Sequence, residues 1–158
     1  MALREIRIDG DEILRKISKP VAVVDEKINM LIDDMLETMY NVGGVGLAAV
    51  QIGVLRRIFV MDDSENGDSP IILINPEIIS VKGEQEGQEA CLSVPGYAGE
   101  VLRPKVVDVK YLNRDGIEVQ SRFEDRQCVI FHHELDHLDG ILYTDRASEV
   151  YEMQREEE

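Results

Sequence analysis

The sequence has no tryptophan, only two cysteines and only three histidines, and its 17 lysines and arginines are outnumbered by 32 acidic residues. Two cysteines, Cys91 and Cys128, are too few for a disulfide scaffold and fit a reducing compartment. The shortage of basic residues leaves a net charge of −15. That balance argues against DNA or sequence-independent RNA as a partner, because phosphate contacts need clustered Lys and Arg. No apolar run approaches the ~20 residues of a membrane span. The first residues, Met1 to Asp9, mix charged with apolar side chains and lack the apolar centre of a signal peptide. A cytoplasmic protein without membrane contact is expected.

What is present suits one globular domain, residues 1–158, with 44% hydrophobic residues. Asp11 to Ser18 reads as a short helix or turn before Pro20. A longer helix follows, with Asp25 as N-cap and an apolar face of Ile28, Leu31, Ile32, Met35, Leu36 and Met39. It stops at Asn41 and Gly43-Gly44. Gly43 to Gly53 has neither helical nor strand period; its four glycines suit either a buried turn or backbone that something approaches closely. It lacks the spacing of a dinucleotide or phosphate loop. Strands are expected at Arg57 to Met61, Pro70 to Ile74 and Glu77 to Val81, the last two separated at Asn75-Pro76, with Gly83 to Gln88 as a turn. Val106 to Leu112 and Ile117 to Phe123 flank Asn113-Arg114-Asp115-Gly116, a hairpin signal. A helix then runs from about Glu124 to Leu138, stopped by Gly140, and a last helix from Ala147 to about Gln154. The order predicts an α+β fold with mixed or antiparallel β-sheets packed around the helix at 124–138.

That helix carries all three histidines, in His132-His133-Glu134-Leu135-Asp136-His137. His133, Glu134 and His137 spell H-E-x-x-H: the histidines fall one turn apart on one face, and the glutamate lies within reach of a water on a shared metal ion. A catalytic metal needs a third protein ligand and an open position. Cys128 lies about 140° around the helix from His133 and reads as a buried structural cysteine. Cys91 or a carboxylate can serve, and spacing alone does not choose among them. Arg126, Val129, Ile130, His133 and His137 share one face, so Val129 and Ile130, with Val45, suit an apolar slot as well as they suit a core.

Gly44-Val45-Gly46-Leu47-Ala48-Ala49-Val50-Gln51, Glu89-Ala90-Cys91-Leu92-Ser93 and His132 to Leu138 resemble, in order, the three signature motifs of peptide deformylase. The resemblance implies removal of the formyl group from the N-formylmethionine of nascent peptides, releasing formate. It implies Cys91, His133 and His137 as ligands of one divalent metal, Fe2+ in the cell with Zn2+, Ni2+ or Co2+ able to substitute. Water in the fourth position would attack the formyl carbon, with Glu134 as general base and then acid. Gln51 and the backbone N–H of Leu92 would hold the formyl oxygen, Gly46 would let the substrate backbone lie alongside, and Val45, Val129 and Ile130 would receive the methionine. The family usually has Gly at position 90 and Gln at position 132; the expectation is an ordinary backbone at Ala90 and a non-ligand His132, at the helix surface or behind a ligand. Glu89 and Arg103 are candidates for a supporting ion pair, and Asp136 for orienting a ligand histidine. The acidic C-terminal stretch, Glu149 to Glu158, disfavours an electrostatic dock on ribosomal RNA, so ribosome association should be weak. Two other readings compete: an H-E-x-x-H zinc metallopeptidase, with a third ligand such as Glu149 or Glu152 after the motif, and a structural metal domain.

Overall fold

The computed structural model describes residues 2–153. Asp25 caps α1 (Glu26–Asn41) by accepting from the Ile28 N–H at 3.0 Å, and Gly43, at φ +68°, turns the chain out of it. The glycine-rich stretch becomes β1 (Gly46–Ala48), followed by one 3-10 turn, Ala49–Ile52. The other strands are β2 (Ile58–Met61), β3 (Ile71–Lys82), β4 (Gln85–Cys91), β5 (Val94–Arg103), β6 (Val106–Leu112), β7 (Glu118–Glu124) and β8 (Glu149–Glu152). Two further helices are α2 (Asp125–Leu138) and α3 (Tyr143–Arg146). Five strands form one sheet in the order β1-β2-β3-β6-β7, and β4-β5-β8 form a second, with every strand pair antiparallel. The α+β expectation holds.

Strand β2 shows how the layers are made. Its side chains alternate, and both faces are buried. Ile58 and Val60 join Leu31, Ile32, Met35 and Met39 of α1 on one side. Phe59 and Met61 join Phe131 and Leu138 of α2 on the other. The five-stranded sheet therefore lies between α1 and α2, and α2 is held from beneath by a solid apolar layer. Phe131 is fully buried, 5.6 Å from the Phe59 ring and 5.7 Å from Phe123. Cys128 is also fully buried, its thiol donating to the Pro104 carbonyl at 3.2 Å, as a structural cysteine should.

Three local expectations need correction, and one is narrowed. The break at Asn75-Pro76 is absorbed inside β3 as a shift of register against β6; Asn75 takes φ +51° and its amide holds both the N–H and the carbonyl of Val21. Gly83 to Gln88 is more than a turn, because β4 begins at Gln85 and pairs along β5 from Gln85↔Arg103 to Cys91↔Val94. The proposed helix at 147–154 is instead the strand β8, whose backbone is satisfied by pairing with β5 from Tyr97↔Glu152 to Glu100↔Glu149; Gln154 lies outside the described residues. Of the two places open to His132, at the helix surface or behind a ligand, the helix surface is excluded, because the side chain is buried. Ala90, by contrast, has no left-handed backbone, as expected.

Truncating Phe131 would leave α2 without its central contact. Phe131→Ala should lower unfolding free energy by about 3–5 kcal/mol, read from the urea midpoint; a loss below 1 kcal/mol would show that the layer collapses around the gap.

Candidate active site

Helix α2 runs past the end of the β4–β5 hairpin, and this crossing assembles the site. Cys91 is the last residue of β4 and Val94 the first of β5, so Leu92 and Ser93 form the tip. The thiol of Cys91 lies 3.3 Å from Nε2 of His137. His133 and His137 are one turn apart, with ring centroids 5.1 Å apart. One ligand atom from each of Cys91, His133 and His137 lies within 4.8 Å of the others. A sulfur and two imidazole nitrogens at this separation fit one divalent ion, and they leave one side open to the cavity.

One of the three candidate ligands, His133, is held from behind. The Nδ1–H of His133 donates to Glu89 Oε1 at 2.9 Å, which turns its Nε2 toward the other ligands. Glu89 is in turn clamped by Arg103, whose Nε and a terminal nitrogen donate to its two oxygens at 2.8 and 2.9 Å. Burial opposes the charge on Glu89, but these bonds and the guanidinium charge outweigh it and hold the carboxyl down to about 2. The Glu89–Arg103 pair is thus present and fully buried. Arg103 reaches on to Asp136 at 2.7 Å, and Arg146 of α3 grips the same carboxylate at 2.7 and 3.0 Å. Asp136 therefore orients no ligand histidine directly; Glu89 does, and Asp136 fixes the arginine. His132 sits beside this network, with burial and the nearby Arg103 charge depressing its imidazole to about 4.

Glu134 projects into the site from α2. It is buried, and burial raises its carboxyl to about 7. Its Oε1 has no hydrogen-bond partner among the described residues. A Cβ at Gly46 would lie 2.5 Å from its Oε2, so glycine at 46 makes room for this carboxylate, a reason that glycine content alone did not reveal. Gln51 is buried on the 3-10 turn. Its Oε1 accepts from the Ala48 N–H at 2.9 Å, and its Nε2 donates to Ser93 Oγ at 3.1 Å, 3.7 Å from the Cys91 sulfur. Those contacts fix which end of the amide faces the site.

A cavity of about 750 Å³ opens over this centre. One wall is Gly43 to Gly46, the opposite wall is β4, and Val129, Ile130 and Arg126 of α2 form the floor. Every site residue that the family resemblance implies is brought here: Val45, Gly46, Gln51, Leu92, Val129, Ile130 and Glu134 all line the cavity, with Cys91 and His133, and His137 lies beside Cys91. Glu149 and Glu152, offered as a peptidase ligand, are instead exposed on β8. Ser93 and Tyr143 were not singled out. Ser93 lay inside the second motif, but nothing in the sequence signalled that it steadies Gln51. Tyr143, whose ring stacks on His133 at 6.0 Å, carries no local sequence signal.

The family model described as polypeptide deformylase matches residues 3–153. A peptide deformylase of Lachnoclostridium phytofermentans is 56% identical over 154 residues, 97% of this chain and 94% of that protein. One from Acetivibrio thermocellus is 56% identical over 147 residues, 93% of this chain and 85% of that protein. Among solved structures, a peptide deformylase from Legionella pneumophila superposes with a TM-score of 0.89 at 46% identity, covering 93% of this chain and 87% of that one. A peptide deformylase from Synechococcus elongatus in complex with actinonin gives 0.88 at 35% identity, covering 92% and 79%.

Neutralising Glu89 while keeping its shape should loosen His133. Glu89→Gln should weaken metal affinity roughly 10–100-fold, measured by competition with a chromogenic chelator; unchanged affinity would mean that the clamp does not act on the ligand.

Proposed function

The chain belongs to the polypeptide deformylase family, metal-dependent hydrolases that release formate from the N-formylmethionine of new polypeptides, and we propose that it does so as one catalytic domain with Cys91, His133 and His137 holding the ion. The observation that carries this assignment is the convergence of three ligand atoms within 4.8 Å beside a buried, unpartnered glutamate oxygen. When bound, the ion supplies Lewis acidity that makes water a nucleophile near neutral pH. Ferrous iron is the ion we propose in the cell, with zinc, nickel or cobalt able to replace it; a thiolate and two imidazoles suit all four.

The chain's own residues do the rest. The formyl group enters between Gln51, Leu92 and Glu134. Glu134 takes a proton from the attacking water as the oxygen bonds to the formyl carbon. Charge then grows on the formyl oxygen, where the Gln51 amide and the Leu92 N–H donate to it; one such donor is worth about 3 kcal/mol in the transition state. Glu134 returns the proton to the departing nitrogen, the carbon–nitrogen bond breaks, and formate and the free amine leave. Burial strengthens the hold of this carboxyl on a proton, which suits a group that must both take one up and deliver it. The substrate backbone lies between Gly46 and β4, and its first side chain enters the slot of Val45, Val129 and Ile130.

The work on new polypeptides supports a cytoplasmic location. No helix among the described residues is long and apolar enough to cross a membrane. A net charge of −15 supports weak ribosome association and no affinity for DNA.

Glu134→Ala should keep its metal, by elemental analysis, and lose roughly 100-fold or more of formate release from a formyl-Met peptide. Unchanged release would sink the role of Glu134, and a metal-free variant would recast it as structural. In a pelleting assay with ribosomes the protein should bind weakly at every salt concentration; tight binding that salt abolishes would overturn that expectation.

A further inference from the structure

We propose that Arg126 makes the side-chain slot accept N-formylmethionine sulfoxide as well as N-formylmethionine. The inference rests on the assignment of that slot to the first side chain of the substrate. Arg126 lies in the first turn of α2, seven residues before His133 and on the same face, about 10 Å along the axis. An extended methionine side chain running along α2 from the metal ligands covers about half of that distance, to the level of Val129 one turn back, and the arginine's own stem spans the rest. Its sulfur therefore ends beside Val129, with the guanidinium beyond it.

Width is available at that point. Gln85, Gly87 and Glu89 share one face of β4. The Gln85 amide reaches the Asp125 carbonyl at 3.0 Å and Glu89 reaches His133, so Gly87 faces the stretch of α2 between them. No atom lies within 4 Å of where its Cβ would stand. An added oxygen on sulfur has space there.

The chemistry of that oxygen singles out one residue. A sulfoxide in an apolar slot without a donor leaves a strong acceptor unpaired, which is costly. Of the amides on the cavity wall, Gln85 gives both its N–H groups to the carbonyls of Pro104 and Asp125, Gln88 alternates to the other face of β4 and turns its amide to the Tyr151 hydroxyl, and Gln51 has one N–H on Ser93 and the other assigned to the formyl oxygen. Arg126 is exposed, lines the cavity, and makes no hydrogen bond or ion pair among the described residues. Its guanidinium offers five donors, while its aliphatic stem packs against a thioether. One side chain thus serves both oxidation states of the substrate.

The test compares kcat/KM for a formyl-Met tripeptide and for its sulfoxide, using metal-loaded wild type, Arg126→Leu and Arg126→Lys. Wild type should process the two comparably. The sulfoxide-to-thioether ratio should fall about tenfold or more in Arg126→Leu, with Arg126→Lys between them. An unchanged ratio in Arg126→Leu overturns the inference. So does a result in which the variant loses only a preference for glutamate over alanine at the second position, which would assign the guanidinium to the peptide downstream. Failure of wild type to deformylate the thioether peptide would instead remove the functional reading on which this depends.

Discussion

Arg103 is a buried cation, 4% exposed, and the geometry of the site depends on how its charge is answered. A lone guanidinium in such a place would be prohibitive; two carboxylates make it tenable, and losing one partner of a buried pair costs about 3–5 kcal/mol. The partners come from different parts of the fold. Glu89 stands on β4, Arg103 on β5, Asp136 on α2, and Arg146 on α3 closes the set. Directional bonds among them fix the small sheet against the helix, where apolar packing alone would tolerate a slide. Glu89 also bonds His133, so the same network that docks the hairpin sets the tilt of an imidazole at the candidate metal centre.

The chemistry was more legible than the architecture around it. H-E-x-x-H is a local pattern whose geometry follows from one helical turn, so His133, Glu134 and His137 were readable one by one. Cys91 was not readable from spacing, because its position depends on the β4–β5 hairpin, and that hairpin was hidden. Its inward positions include Glu89 and Arg103, charged residues that break the alternation by which strands are recognised, while Gly87 and Gln88 look like turn residues. Family resemblance implies Cys91, and the hairpin brings its sulfur beside the two histidines. Strand β8 was hidden for a related reason, since only long-range pairing with β5 decides its state. At Asn75-Pro76 a local stop signal was overruled by the continuing sheet.

Gly46 illustrates a different limit. Its glycine is needed because a carboxylate distant in sequence occupies the space of a side chain. No inspection of residues 43–53 alone could distinguish that from conformational need. The first motif and the third are thus interlocked sterically, with Glu134 filling the space that a side chain at position 46 would take.

The open side of β4 has a consequence for the protein at large. In the three-stranded sheet β4 is an outer strand, bonded to β5 on one side only, and an unpaired strand edge invites any extended chain to join it. Here that invitation faces an apolar cavity, as affinity for unfolded peptide requires. Crowded solutions of such a protein would be prone to edge-to-edge association. Glu84 and Glu86, on either side of the first residue of the strand, and a net charge of −15 set like charges against each other when two copies approach. The same negative charge that disfavours phosphate contacts thereby also opposes the pairing of two such edges.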